Sequence, residues 1–126
     1  MAKTYLLFIA IGLVPVALSY GANPVGVLPR LLKFNVEAPN ESQVFRAVMC
    51  LYLATSAFWV LGALQPEWQR AALLWAVLFM LSLAAGRLIS LALDGMPTAG
   101  LLNLYLAVEL GAGALGLWLL RGASYQ

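Results

Sequence analysis

The chain has 126 residues, of which 63% are hydrophobic and 10% are charged, and its formal net charge is +2. Soluble domains usually carry about a quarter charged residues, because a folded surface must face water. A short chain has a large surface for its volume, so this shortage of charge excludes an ordinary soluble domain and predicts an integral membrane protein. The small net charge also argues against nucleic acid as a partner.

Histidine is absent, and cysteine occurs once, at Cys50. The chain therefore lacks the residue that most often ligates haem, copper or zinc and most often acts as a general base. One cysteine cannot form an intramolecular disulfide, so the redox compartment cannot be inferred from it. We predict a non-catalytic protein with no metal site and no cofactor.

Four apolar runs separated by turn residues predict an all-α fold, a four-helix transmembrane bundle that forms a single membrane domain over residues 1–126. In chain order, the predicted helices span about residues 5–20, 43–64, 67–93 and 98–120. A bilayer core of about 30 Å needs about 20 helical residues, a length that the last three helices reach. The first helix is shorter, so it must tilt little or thin the bilayer locally.

The first apolar run follows Lys3 and contains Pro15, which predicts a kink. The stretch from Tyr5 to Leu18 also resembles a secretory signal, with Ala17-Leu18-Ser19 as a cleavage site. We expect the segment to be retained as a membrane helix.

The connection between the first two helices is long enough to hold an element of its own. Asn23-Pro24 ends the first helix, and a short interfacial segment is expected over about residues 24–34. Its apolar face consists of Leu28, Leu31 and Leu32. Its basic residues are Arg30 and Lys33. Asn40, with Gln43 three residues later, resembles a capping box at the start of the second helix.

The other two connections are short turns. Gln65-Pro66 predicts a tight hairpin between the second and third helices. Between the third and fourth helices, Gly95 suits a helix C-cap and Thr98 suits a helix N-cap. We call the membrane side of this second turn side B, and the side of the N-terminus side A.

Basic residues indicate the orientation in the membrane. Side A carries Lys3, Arg70 and Arg121, whereas side B carries Arg30 and Lys33 together with Glu37, Glu41 and Asp94. For this distribution the positive-inside rule predicts that both termini are cytoplasmic.

Three charged residues fall within the apolar runs: Arg46, Arg87 and Glu109. An ionisable side chain at the centre of a membrane helix costs about 2.5 to 3.5 kcal/mol on insertion scales, so each needs an explanation. From the helical rise, the two arginines lie roughly 9 and 10 Å from side B, and Glu109 lies roughly 16 Å from it. A glutamate at that depth is too short to reach water and must be paired, hydrogen-bonded or protonated.

The direction of the side chains predicts the partner of Glu109. Side chains tilt toward the N-terminus of their own helix, so Arg87 tilts inward and Glu109 tilts toward side B. We predict an ion pair between them, with Arg46 as a candidate second partner that can also snorkel to the interface. The predicted intramembrane polar cluster contains Arg46, Arg87, Ser90, Asp94, Tyr105 and Glu109. The predicted helix-packing residues, which are small, are Ala112, Gly113 and Gly116.

The sequence leaves the role of this cluster open. A buried ion pair can be purely structural and fix helix register and adjacency. Intramembrane ionisable residues also mark sites for a lipid head group, a quinone-like ring or a proton. Cys50, one helical turn from Arg46, offers a weaker alternative as a reactive thiol, although a cysteine in an apolar helix is usually inert.

Several short motifs resemble a family of small bacterial membrane proteins. They are Arg46-Ala47, Gly86-Arg87 followed by Asp94-Gly95-Met96-Pro97, and Glu109 in the last helix. The family is domain of unknown function number 4345, and it is distantly similar to DoxX-like four-helix proteins. The resemblance covers roughly residues 5–120 and implies a four-helix fold in the bacterial inner membrane, without an assigned activity. Family members often have glycines after the second-helix arginine, where this chain has Val48, Met49 and Cys50.

The sequence as a whole predicts an accessory or scaffold subunit of a larger membrane assembly, because small-residue packing faces are abundant and catalytic residue sets are not found. Its expected partners are bilayer lipids and other membrane subunits or further copies of the chain. The alternative is a binder or carrier of a small lipophilic molecule, a lipid or a quinone, lodged over Arg87 and Glu109. A fully packed interior would remove this alternative.

Overall fold

The structure is a computed structural model that describes residues 1–122. The last residues of the predicted domain, 123–126, lie outside the described part. Within residues 1–122 the chain forms helices and no strand. The helices are α1 (Ala2–Gly21), α2 (Pro24–Leu31), α3 (Asn40–Leu64), α4 (Pro66–Asp94) and α5 (Gly100–Gly122).

The four long helices are α1, α3, α4 and α5, and each is long and apolar enough to cross a membrane. They have 20, 25, 29 and 23 residues, so even the shortest reaches about 30 Å, the thickness of the hydrocarbon core. The all-α four-helix bundle predicted from the sequence is therefore confirmed. The first helix is longer than predicted because it begins at Ala2, and it needs no thinning of the bilayer.

The long helices pack in the order α1, α3, α4, α5, and each contacts the next extensively. The helices of the α3–α4 hairpin approach each other closely where Gly62 of α3 faces the Cβ atom of Ala72 of α4. In contrast, α1 and α5 contact each other at few points. The bundle is therefore closed on three sides and open between α1 and α5.

Large apolar and aromatic side chains fill the centre of the bundle. Trp59 of α3, Leu6 of α1 and Leu73 of α4 are almost completely buried. Tyr52 of α3 contacts Phe79 of α4 edge to face, with ring centroids 5.3 Å apart. Such aromatic contacts add to the dispersion energy that holds helices together in lipid, where there is little hydrophobic force between them.

The short helix α2 occupies the predicted interfacial segment. The side chain of Asn23 accepts a hydrogen bond from the backbone N–H of Gly26 at 3.2 Å and so caps its N-terminus. Leu28 and Leu32 are buried, whereas Leu31 is 46% exposed. The predicted apolar face is therefore narrower than expected, because only residues four apart, one helical turn, face the bundle.

Two of the predicted helix caps are wrong. Asn40 is the first residue of α3 and Pro39 occupies the N-cap position, while the carboxylate of Glu41 accepts the backbone N–H of Glu37 at 2.7 Å. Thr98 does not cap α5, which begins two residues later at Gly100. The carbonyl of Thr98 instead accepts a hydrogen bond from Lys33 Nζ at 3.3 Å, which joins the two connections on side B.

The predicted C-cap of α4 is present. Gly95 has a φ of 87°, a conformation that glycine adopts without steric cost. The sharp reversal at this residue sends α5 back along α4, and it sets the two helices side by side.

Candidate functional site

An ion pair links α4 to α5 inside the bundle. The Nε atom of Arg87 donates a hydrogen bond to Oε2 of Glu109 at 2.8 Å. The side chain of Glu109 is only 8% exposed, and that of Arg87 is 22% exposed. The ion pair predicted between these residues is therefore present, with the carboxylate as its deeper member.

The two side chains meet because their helices are antiparallel neighbours. Arg87 lies seven residues before the end of α4, about 10 Å from side B, and Glu109 lies nine residues into α5, about 14 Å deep. Each side chain tilts toward the N-terminus of its helix, so the arginine extends inward and the glutamate extends back toward it. This geometry brings the charged atoms to one level.

An aromatic ring of α5 lies beside the guanidinium group of Arg87. Its central carbon lies 5.4 Å from the ring centroid of Tyr105 on α5, within the range of a cation–π contact. The guanidinium group therefore contacts two side chains of α5, the carboxylate of Glu109 and the ring of Tyr105.

Arg46 is not part of this site, contrary to the predicted cluster. Its side chain is exposed, and it makes no hydrogen bond or ion pair with other described residues. The preceding residue, Phe45, stacks against Tyr20 with ring centroids 6.1 Å apart. One residue turns a helix by about 100°, so the exposed side chain of Arg46 does not share the face on which Phe45 meets Tyr20.

Ser90 and Asp94 also fall outside the buried interior. The hydroxyl of Ser90 donates a hydrogen bond to the Asp94 carboxylate at 3.0 Å, and both residues are exposed. They continue the face of α4 that carries Arg87, but they lie beyond the bundle core at the side B end. Of the predicted six residues, Arg87, Tyr105 and Glu109 therefore form a trio in which Glu109 is buried and the other two are partly buried, and Ser90 and Asp94 form an exposed polar pair beside it.

The small residues of α5 contact two different helices. Gly113 packs against Leu81 and Met80 of α4. On the other side, the Tyr5 hydroxyl of α1 donates a hydrogen bond to the Ala112 carbonyl at 2.8 Å. The same hydroxyl lies 2.6 Å from where a Cβ atom on Gly116 would be, so only glycine leaves room for it there. The predicted packing residues thus connect α5 to both neighbours.

A cavity of about 300 Å³, which we call the lateral cavity, fills the gap between α1, α4 and α5. Its inner wall includes Arg87, Tyr105 and Glu109, and the remaining lining is almost entirely apolar. Phe8 of α1 and Leu115 of α5, which are 78% and 46% exposed, lie at its outer edge. The cavity therefore opens sideways, in the direction of the lipid.

A second cavity of about 240 Å³, which we call the side B cleft, lies at the turn between α4 and α5. Its polar lining residues are Arg87, Ser90, Asp94 and Asn103. Among the described residues, no group of three acidic or cysteine side chains is arranged to hold a metal ion. The polar groups of the cleft are suited to hydrogen bonding with an organic group.

The family described as Domain of unknown function (DUF4345) matches residues 1–120 of this chain. The chain belongs to this family. The match covers α1, α3, α4, all but the last two residues of α5, and the lining of both cavities, so the ion pair and the lateral cavity lie within the family domain of this chain. No curated protein and no solved structure shows detectable similarity to the chain.

Two parts of this site, Tyr5 and the lateral cavity, could not be recognised from the sequence. Tyr5 was assigned only to an apolar run, and the lateral cavity was not predicted at all. A tyrosine in the first turn of an apolar helix is a weak signal, because such residues usually lie at the membrane interface. Cavities depend on how helices diverge, and a single sequence carries no direct signal of that.

Proposed function

We propose that this protein binds a small lipophilic molecule in the lateral cavity, with the polar end of the molecule at Arg87 and Glu109. The observation that carries the proposal is an apolar cavity, open toward the lipid, whose inner wall bears a buried ion pair. This is the alternative that a fully packed interior would have removed.

The size and lining of the lateral cavity support binding of a small molecule. Ligand cavities in proteins usually measure about 300 to 1,000 Å³ and combine an apolar wall with a few polar groups. The lateral cavity has a volume of about 300 Å³, at the lower end of that range. Its opening between α1 and α5 would let a hydrophobic molecule enter directly from the bilayer, without crossing water.

The ion pair retains hydrogen-bonding capacity that a ligand can use. The described contact between the side chains uses Nε of Arg87 and Oε2 of Glu109. A guanidinium group has five N–H donors, and a carboxylate has two acceptor oxygens. A neutral group of a ligand, such as a carbonyl or a hydroxyl, could therefore form a hydrogen bond with the pair without breaking it.

The role proposed here is non-catalytic. The trio of Arg87, Tyr105 and Glu109 offers hydrogen bonds and charge, and within this trio no nucleophile is paired with a separate general base. Cys50 is exposed on α3 and does not line the lateral cavity. Replacing Cys50 with alanine is therefore expected to leave the function unchanged.

Filling the lateral cavity tests the proposal while the ion pair stays intact. Gly12 of α1 and Gly111 of α5 line the cavity, and a Cβ atom at either position would meet nothing within 4 Å. Gly12→Leu or Gly111→Leu should fold normally and occupy space that the ligand needs. We expect mass spectrometry to detect a small lipophilic molecule bound to the wild type in nanodiscs. In each variant the amount of this bound molecule should be at least about tenfold lower.

Gly86→Leu is the matched control for these substitutions. Gly86 lies in α4 with equally open space around it, but it lines neither the lateral cavity nor the side B cleft. We expect this variant to retain the wild-type amount of bound molecule. Wild-type protein without such a molecule, or equal losses in all three variants, would refute binding in the cavity.

A second role, as an accessory or scaffold subunit, is favoured by the exposure of α5. Among the long helices of the described chain, α5 has the smallest buried share, and its buried residues are Glu109, Gly113 and Gly116. Leu104 and Trp118 project from its outer face and are 56% and 58% exposed. Native mass spectrometry after gentle extraction should then detect a partner protein or a homo-oligomer, and a strictly monomeric species would contradict this role.

A further inference from the structure

We infer that the molecule bound by this protein is an amphiphile with an uncharged, hydroxyl-bearing head group. Its apolar tail would lie in the lateral cavity, and its head group would lie in the side B cleft. The inference rests on the proposed function and specifies the chemistry of the ligand. It follows from the position of Arg87, which lines both cavities.

The side B cleft differs in chemistry from the lateral cavity. It is formed by the end of α4, the turn at residues 95–97 and the first turns of α5. Its wall contains both hydrogen-bond donors and acceptors. They are the guanidinium of Arg87, the hydroxyl of Ser90, the carboxylate of Asp94 and the amide of Asn103. This cleft can form several hydrogen bonds with a compact polar group.

The two cavities follow one another along the axis of the bundle in the order that a lipid requires. Asp94 lies at the side B end of α4, and Arg87 is about 10 Å deeper. The lateral cavity continues from Arg87 toward side A as far as Tyr5 and Leu115. A polar group near the membrane surface and an apolar chain below it match this arrangement.

The charges around the side B cleft favour an uncharged head group. Among the described residues, one basic side chain, Arg87, and one acidic side chain, Asp94, line the cleft, and the Asp94 carboxylate accepts a hydrogen bond from Ser90. An anionic phosphate or carboxylate would therefore approach Asp94, and a cationic head group would approach Arg87. Like-charge contacts of this kind exclude ligands effectively, whereas hydroxyl groups can use both the donors and the acceptors.

A photoactivatable monoacylglycerol, with a diazirine in the middle of its acyl chain, tests this inference in nanodiscs. We expect mass spectrometry to locate the crosslinks on cavity-lining residues of α1 and α5, such as Gly12 and Leu115. Unlabelled monoacylglycerol should compete at least about tenfold better than a fatty acid, a lysophosphatidylglycerol or an alkyltrimethylammonium of equal chain length.

Removing a polar group from the cleft should weaken head-group binding selectively. We expect Asn103→Leu to lower the affinity for the monoacylglycerol about three- to tenfold, the range of one neutral hydrogen bond. Labelling by a diazirine-bearing alkane, which has no head group, should not change. Asn35→Leu is the matched control, because Asn35 is exposed in the connection before α3 and lies outside the cleft.

The outcomes separate this inference from the proposed function. Crosslinks in the lateral cavity that are insensitive to Asn103→Leu, or equal competition by charged amphiphiles, would refute the head-group assignment and leave binding in the cavity intact. Absence of cavity crosslinks from both the monoacylglycerol and the alkane, together with unchanged lipid content in Gly12→Leu, would overturn both.

Discussion

The carboxylate of Glu109 is the deepest charged group among the described residues of the long helices. It lies about 14 Å from the start of α5 and is almost completely buried, so it cannot reach water. Its side chain accepts a hydrogen bond from Arg87, which approaches from the neighbouring helix. At the scale of single residues, this contact decides whether two charges in the apolar core are tolerated.

Substitutions in the ion pair should show a marked asymmetry. Glu109→Gln leaves the guanidinium of Arg87 unpaired, and arginine cannot lose its charge in a protein. Removing one partner of a buried pair costs about 3 to 5 kcal/mol, so the free energy of unfolding should fall by that amount. Arg87→Gln should cost less, because the remaining carboxyl group can become neutral by taking up a proton. Unfolding in mixed micelles, followed by circular dichroism, measures both changes.

The double variant, Arg87→Gln with Glu109→Gln, measures the coupling free energy between the two side chains. It should be less destabilised than the sum of the single variants by about 1 to 3 kcal/mol, the size of coupling found between contacting residues. Ser90→Ala is a control on the same face of α4, and it should change stability by less than about 0.5 kcal/mol because its hydrogen bond is exposed. Additive effects would mean that the pair does not contribute to folding.

Contacts between elements depend on a few positions without a side chain. At Gly62 the helices of the α3–α4 hairpin approach so closely that an added Cβ atom would collide with the Cβ atom of Ala72. Neither atom can move without shifting its backbone. At Gly113, in contrast, an added Cβ atom would meet Leu81, whose flexible side chain can rotate away. The rigidity of the neighbour therefore decides the cost.

Gly62→Ala is expected to lower the free energy of unfolding by about 1 to 3 kcal/mol, the usual cost of overpacking. Gly86→Ala, at the exposed and uncrowded position in α4, should instead raise it by up to about 1 kcal/mol, because alanine favours helix more than glycine does. Unfolding by denaturant in mixed micelles compares the two. Equal effects of the same sign would show that the hairpin contact is not tight.

At the scale of the whole molecule, the bundle is open along one side. The contact between α1 and α5 is limited, and it includes the hydrogen bond from Tyr5 to the Ala112 carbonyl. The rest of that seam is the lateral cavity. An open seam is suited to exchange with the bilayer, because a molecule can enter without separating the helix pairs that hold the fold together.

The topology can be tested with single cysteines in a Cys50→Ala background. Lys3 and Met96 are separated by three membrane spans, so they must face opposite sides. If the positive-inside rule is followed, a membrane-impermeant maleimide should label Met96→Cys in intact cells and should label Lys3→Cys only after permeabilisation. Labelling of both cysteines from outside would contradict the number of spans, and the reverse pattern would contradict the orientation.

Much of the fold and one part of the site could be predicted from the sequence. Uninterrupted apolar runs allowed four long helices to be assigned, because in lipid every backbone group must be satisfied within its own helix. The contact of Arg87 with Glu109 was predictable because depth and tilt follow directly from helical geometry. The sequence placed Arg46 in the interior cluster, but it is exposed, and Ser90 and Asp94 line the side B cleft with Arg87 while remaining exposed, since membership of an apolar run does not tell which face of a helix meets its neighbours.

The sequence by itself determined that this chain forms membrane-spanning helices and that a carboxylate inside them needs a cation. Both conclusions follow from the cost of placing polar groups in hydrocarbon, a cost that depends on residue type and depth. Only the tertiary structure decided that α1 and α5 stand apart and enclose a cavity beside the ion pair. The separation of two helices is set by how many side chains pack together across the bundle, and no local pattern along one helix specifies it.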